Sequence, residues 1–217
     1  MSLRSLFVAG LATLALAVPA PQIQARQGMS SNELESGPCR DVTFIFARGS
    51  TEQGNMGLIV GPGVCSSLKK DLGSDKVACQ GVGGAYTAQL APNFLSQNTN
   101  QASINAATDM FDLANTKCPN TKIVAGGYSQ GSAVIDNTIQ ALGSDLKAKV
   151  KGVVLFGFTR NVADKGQIPG YPKDQTKVYC AVGDMVCVNT LIITPAHLTY
   201  GADAGDAAKF LASKVQE

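Results

Sequence analysis

Short apolar runs alternate along the chain with amphipathic stretches of helical length. Five runs, 41–47 (DVTFIFA), 76–82 (KVACQGV), 121–127 (TKIVAGG), 151–158 (KGVVLFGF) and 176–182 (TKVYCAV), are mostly apolar and bounded by glycine or polar clusters. Their length and composition predict buried strands. Between them, apolar positions recur three or four residues apart: Ile104, Ala107, Phe111 and Ala114 within 101–117, and Val134, Ile135, Ile139 and Leu142 within 130–142. Ala208, Leu211 and Val215 repeat the spacing within 205–215. Each set falls on one helical face. The alternation predicts an α/β fold, with a mostly parallel central sheet flanked on both sides by helices. No repeat, low-complexity linker or N-x-S/T acceptor interrupts it, and 217 residues suit one domain with a substantial core.

The first residues follow a different pattern. Residues 1–17 carry one cation, Arg4, an apolar run from Leu6 to Leu16 and an Ala15-x-Ala17 pattern. These are the marks of a secretory signal peptide. The run is about half of the roughly 20 residues that a bilayer span requires, so no membrane anchor is expected. Residues 18–36 are polar and aperiodic, and read as a pro-segment or a loose N-terminus, which leaves 37–217 as the single folded domain. A net charge of +2 with scattered basic residues gives no support to a nucleic-acid partner.

Export gives meaning to the six cysteines, Cys39, Cys65, Cys79, Cys118, Cys180 and Cys187, because disulfides persist in oxidising compartments. Three bridges are expected, and the sequence leaves all 15 possible pairings open. No C-x-x-C spacing occurs and the chain has one histidine, so no metal site is expected.

The candidate chemistry centres on Gly127-Tyr128-Ser129-Gln130-Gly131. As a pentapeptide, G-x-S-x-G is a weak signal. Its position after a predicted strand and at the start of a predicted helix is that of a nucleophile elbow, with Ser129 at the bend. A serine hydroxyl needs a base. The one histidine, His197, lies downstream in TPAHLTY, and between the two, Asp184 follows directly on an apolar run in AVGDMVC. Asp136 and Asp145 fall in or near helices, Asp164 and Asp174 in polar loops. The order Ser129, Asp184, His197 is that of α/β-hydrolases. Ser50, in the loop leaving the first strand, suits an oxyanion donor or, equally, a helix N-cap.

FARGSTE after the first strand, GGYSQG at the elbow, GDMVC at the acid and PAHLTY at the base, extended by ANTKCPNTKIVAGGYSQG and VLFGFTRN, together resemble the secreted fungal cutinases from Cys39 to the C-terminus. The resemblance implies a small α/β-hydrolase with a five-stranded, mostly parallel sheet and no large lid, acting as a monomer without cofactor. It implies a catalytic set of Ser129, Asp184 and His197, and an oxyanion hole from the backbone N–H groups of Ser50 and Gln130. It also implies the pairs Cys39–Cys118 and Cys180–Cys187, which leaves Cys65 with Cys79.

The substrate that the resemblance implies is cutin, the polyester of the plant cuticle, together with short-chain soluble esters. Leu90, Leu191 and Ile193 are then the rim of the acyl-binding crevice, with Phe94 and Ile192 nearby; apolar residues in such loops could equally be core. Related acetylxylan esterases share the elbow and the triad order, and a lipase would need a lid or long cleft for which no insertion is visible. A non-catalytic secreted surface binder is the alternative from another class.

Overall fold

The computed structural model describes residues 28–216. The expected signal peptide, residues 1–17, and the segment up to 27 lie outside the described residues. Five strands, β1 (Val42–Ala47), β2 (Val77–Gly81), β3 (Lys122–Tyr128), β4 (Val150–Phe156) and β5 (Thr176–Tyr179), form one sheet in the order β2-β1-β3-β4-β5, with every neighbouring pair parallel. From β1 the chain runs first to β2 on one side, then to β3 on the other. This reversal opens a crevice beyond the strand C-termini, where α/β sheets bind ligands.

Because successive strand side chains point to opposite faces, the sheet builds two cores. Ile45, Ala47, Ile123, Ala125, Val153 and Leu155 pack with helices α3 (Gln101–Lys117) and α4 (Gln130–Ala141). Phe44, Phe46, Val124, Val154 and Phe156 pack on the other side with α2 (Gly61–Leu72) and α6 (Ala204–Gln216). Two short helices, α1 (Glu33–Ser36) and α5 (Ser144–Lys149), complete the set. Among the described residues no helix is long and apolar enough to cross a membrane.

The six cysteines form three disulfides, Cys39–Cys118, Cys65–Cys79 and Cys180–Cys187. The last affects the fifth strand: the predicted run extends to residue 182, but β5 stops at Tyr179 because the next residue, Cys180, turns into its bridge. Helix α2 carries no sequence expectation because it opens on Gly-Pro-Gly, a turn-like signature. Pro62 nevertheless sits in the first helical turn, where its missing N–H breaks no bond, and Val64 and Leu68 are buried.

The packed domain begins ahead of residue 37. Asn32 bridges Gln80, the Gly81 N–H donates to Ser31 O at 2.9 Å, and the Cys79 N–H donates to the Glu33 carboxylate at 2.9 Å. Glu33 also pairs with Lys69 at 2.5 Å, and Leu34 is buried. The polar, aperiodic stretch thus supplies hydrogen-bonding partners to the outer edge of β2, a role that apolar periodicity cannot reveal.

Candidate active site

Ser129 caps α4 at the end of β3 with φ 55° and ψ −122°, backbone angles that L-residues avoid. Its surroundings hold it there. Its N–H donates to Phe156 O at 2.9 Å, and its carbonyl accepts the Ser132 N–H at 2.9 Å and the Ser132 hydroxyl at 2.5 Å. The flanking glycines are required by close approach: a Cβ on Gly127 would lie 2.2 Å from Gly131 O, and one on Gly131 would lie 2.0 Å from Ala47 O. The strand-turn-helix unit therefore packs backbone against backbone, and the serine is displayed at its apex.

Asp184 and His197 come from loops beyond β5. The His197 Nδ1 and Asp184 Oδ2 are 2.8 Å apart, and both residues are buried. A carboxylate can only accept, so Nδ1 carries the proton in this bond and Nε2 is the basic nitrogen of the neutral ring. Nε2 is buried and has no hydrogen-bond partner. Asp184 Oδ1 accepts the Val186 N–H at 2.9 Å, and Oδ2 accepts a second donor, the Tyr200 hydroxyl, at 2.5 Å. The Tyr128 ring stacks on the imidazole at 5.1 Å between centroids, while its hydroxyl donates to His197 O at 2.8 Å. Burial pushes the Tyr128 phenol well above its ordinary range, which keeps it a donor.

Ser50 lies in the loop after β1. No helix starts there: α2 begins at Gly61 with Val60 as its cap, so Ser50 is not an N-cap. The loop is instead gathered around Glu52, whose carboxylate accepts the N–H groups of Gly49 at 2.7 Å, Leu58 at 2.8 Å and Ile59 at 2.9 Å. Thr51 takes a left-handed φ of 66° and donates its N–H to Ala88 O at 2.8 Å. The Asn93 amide donates to Ser50 Oγ at 2.9 Å. Gln130, the first residue of α4, has a backbone N–H that helical bonding leaves unpaired, and its side-chain amide donates to Gln89 O at 2.7 Å.

Ser50, Ser129 and His197 line one open cavity of about 730 Å³, with Asp184 behind the histidine. Its mouth is apolar. Leu90 is 60% exposed, Leu191 38% and Ile193 56%, so these residues are rim rather than core, and Phe94 at 78% stands beside them. Leu58, 70% exposed, and Met29 extend the wall and had no sequence signal. Asn93, Glu52 and Tyr200 were also missed. Their partners are remote in sequence or in irregular loops; Glu52 and Tyr200 do end the motifs RGSTE and PAHLTY, but nothing in those motifs marks what they bond.

The cutinase family model matches residues 38–215. The chain is 93% identical over 216 residues to the probable cutinase 3 of Neosartorya fischeri, covering the whole of both chains. A solved Trichoderma reesei cutinase, in complex with a phosphonate inhibitor, superposes with a TM-score of 0.77 at 37% identity, over 87% of this chain and 81% of that one. An acetylxylan esterase structure shares the fold at a TM-score of 0.65 and 21% identity, over 82% of this chain and 99% of that one. Matched along almost its entire domain, the chain belongs to the cutinase family of α/β-hydrolases and is a carboxylic ester hydrolase.

Proposed function

We propose that the chain is a secreted, monomeric serine esterase that hydrolyses cutin and short-chain soluble esters through an acyl-enzyme on Ser129. The observation that carries this reading is the buried His197–Asp184 bond, which leaves an unpartnered imidazole nitrogen in the cavity that holds the strained serine. His197 Nε2 takes the hydroxyl proton as Ser129 Oγ attacks the ester carbonyl, and Asp184 fixes the ring and balances the imidazolium charge. The N–H groups of Ser50 and Gln130 receive the oxyanion, with Ser50 Oγ oriented by Asn93. Transfer of the same proton to the leaving alkoxide frees the alcohol. Water, deprotonated in turn by His197, then releases the acid and restores the serine.

The exposed leucines and isoleucine around the mouth suit an aliphatic polyester better than a hydrated polysaccharide. Hydrolysis of matched acetyl, butyryl and longer esters, together with release of monomers from insoluble cutin, tests this in wild type and Ser129→Ala. The expected result is butyryl and cutin activity in the wild type and a fall in turnover on the order of 10⁶ in the variant. Activity confined to acetyl esters would move the assignment to polysaccharide deacetylation. Activity that survives in Ser129→Ala would dismiss the serine mechanism.

A further inference from the structure

Asp184 Oδ2, the oxygen that holds His197, accepts two hydrogen bonds rather than one. The second comes from Tyr200, three residues beyond the histidine and fully buried. The direction of this bond is fixed by a third group. The Ala181 N–H donates to the Tyr200 hydroxyl oxygen at 2.9 Å, so the phenol accepts from the backbone and passes its own proton on to the carboxylate. The ring is fixed by T-shaped contacts with Tyr128 at 6.0 Å, Phe156 at 6.1 Å and, at 89°, the imidazole at 6.0 Å between centroids. Burial raises the phenol far above its ordinary range, so it remains a donor wherever the enzyme works.

A buried tyrosine always seeks a partner for its hydroxyl, and most such bonds serve packing alone. This one ends on the atom whose charge sets the basicity of the histidine. The imidazolium formed during attack is stabilised by the Asp184 carboxylate. A phenol that donates to the same oxygen withdraws part of that charge and weakens the hold on the extra proton.

We infer that Tyr200 is a positioning residue of the esterase: by donating to Asp184 Oδ2 it joins the acid loop to the base segment and limits the pull of the carboxylate on His197, which extends activity toward lower pH. This rests on the proposed roles of Ser129, Asp184 and His197. The titratable groups facing the trio are few. Tyr128 approaches from the end of β3, itself under the charge of Glu52 from the loop after β1 and of Asp184. From β4 comes the Phe156 ring, and Cys187 Sγ, with no proton to give, sits 3.8 Å from both Asp184 Oδ2 and the Tyr200 hydroxyl.

The sequence supplies an unusually clean test. His197 is the one histidine in 217 residues, so a ring-labelled sample gives a single imidazole signal whose titration belongs to this residue. In Tyr200→Phe the midpoint of that signal, and with it the acid limb of kcat/KM for a soluble butyryl ester, is expected to move up by about half to one pH unit. KM should stay the same and plateau kcat should fall severalfold. Tyr128→Phe, which removes a phenol bonded to a backbone carbonyl rather than to Asp184, should leave the midpoint in place. Coincident titrations in wild type and Tyr200→Phe overturn the inference, whatever the variant does to thermal stability.

Should Tyr200→Phe not fold, wild-type chain made with 3-fluorotyrosine provides the second measurement. Its more acidic phenols donate more strongly, so the His197 midpoint must move down; an unmoved midpoint overturns the inference equally. Failure of the esterase reading itself is separable, because it appears as hydrolysis that survives in Ser129→Ala.

Discussion

Ser129 and the bonded pair Asp184 and His197 reach the same cavity by different means. Ser129 stands between two regular elements, and its position is set by backbone packing: Gly127 against Gly131, and Gly131 against the carbonyl of Ala47. Asp184 and His197 sit beyond the last strand, in turns and two short 3₁₀ segments, Val186–Val188 and Pro195–Leu198. They are held by cross-links: the Cys180–Cys187 bridge, the hydroxyls of Tyr200 and Tyr128, and the Val186 N–H. A serine displayed by the sheet cannot be lost without losing the sheet. Asp184 and His197, displayed by cross-links, can be displaced while the domain remains folded.

The sharpest way to break this contrast is Gly131→Ala. Its Cβ would be forced to 2.0 Å from Ala47 O, a backbone atom that cannot rotate away. The expected outcome is loss of the folded domain, read as absent near-ultraviolet dichroism and failed soluble expression. A folded but inactive Gly131→Ala would mean that the elbow is not bound to the sheet in the way described.

The disulfides probe the other half. In the chain-entropy model a bridge that spans a sequence separation of 7 contributes roughly 2.5 kcal/mol, against roughly 4.5 kcal/mol for one that spans 79. Removing Cys39–Cys118 by paired serine substitutions should therefore lower Tm more than removing Cys180–Cys187. Turnover, measured where both variants are folded, should show the reverse order, because only the smaller loop carries Asp184. Parallel losses of Tm and turnover in the two variants would erase the distinction.

The smallest effect concerns a cluster on the backbone-held side. Asp136, fully buried on α4, shares Arg160 with Asp164 at 3.1 and 2.7 Å. Burial first, and then the Asp164 charge, push the Asp136 carboxyl well above the usual carboxylate range. An unfolded aspartate gives up its proton near pH 3.9, while the folded one retains it to higher pH. The unfolded state therefore binds fewer protons over that interval, and this residue's contribution to stability declines as pH rises until the folded carboxyl ionises too. Asp136→Asn should match the wild type in strong acid and gain Tm progressively toward mildly alkaline pH. A gain that is equal at every pH would place its origin elsewhere.

What the sequence made legible follows the same division. Strands β1 to β4, helices α3, α4 and α6, and the elbow are encoded by local periodicity and by glycines at fixed offsets, and they lie where the pattern puts them. Asp184 and His197 could be found because the chain has one histidine and one acid that directly follows an apolar run. The supports could not be found in the same way. Asn93 meets Ser50 across 43 residues and Tyr200 meets Asp184 across 16, with no repeat or offset to mark the pairing. The rim was ambiguous for another reason: hydrophobicity is the same signal whether a leucine is buried or, like Leu90, 60% exposed.

Residues 31–33, read as loose polar chain, occupy the outer edge of β2. A parallel sheet with an open flank offers a row of N–H and carbonyl groups to any extended peptide that drifts past, including another copy of itself. Here that flank is sealed by the molecule's own N-terminal residues. The remaining free edge, β5, is four residues long and ends in a covalent knot. Crowded together at high concentration, such molecules offer, among the described residues, only this short strand as an edge for a neighbour to extend.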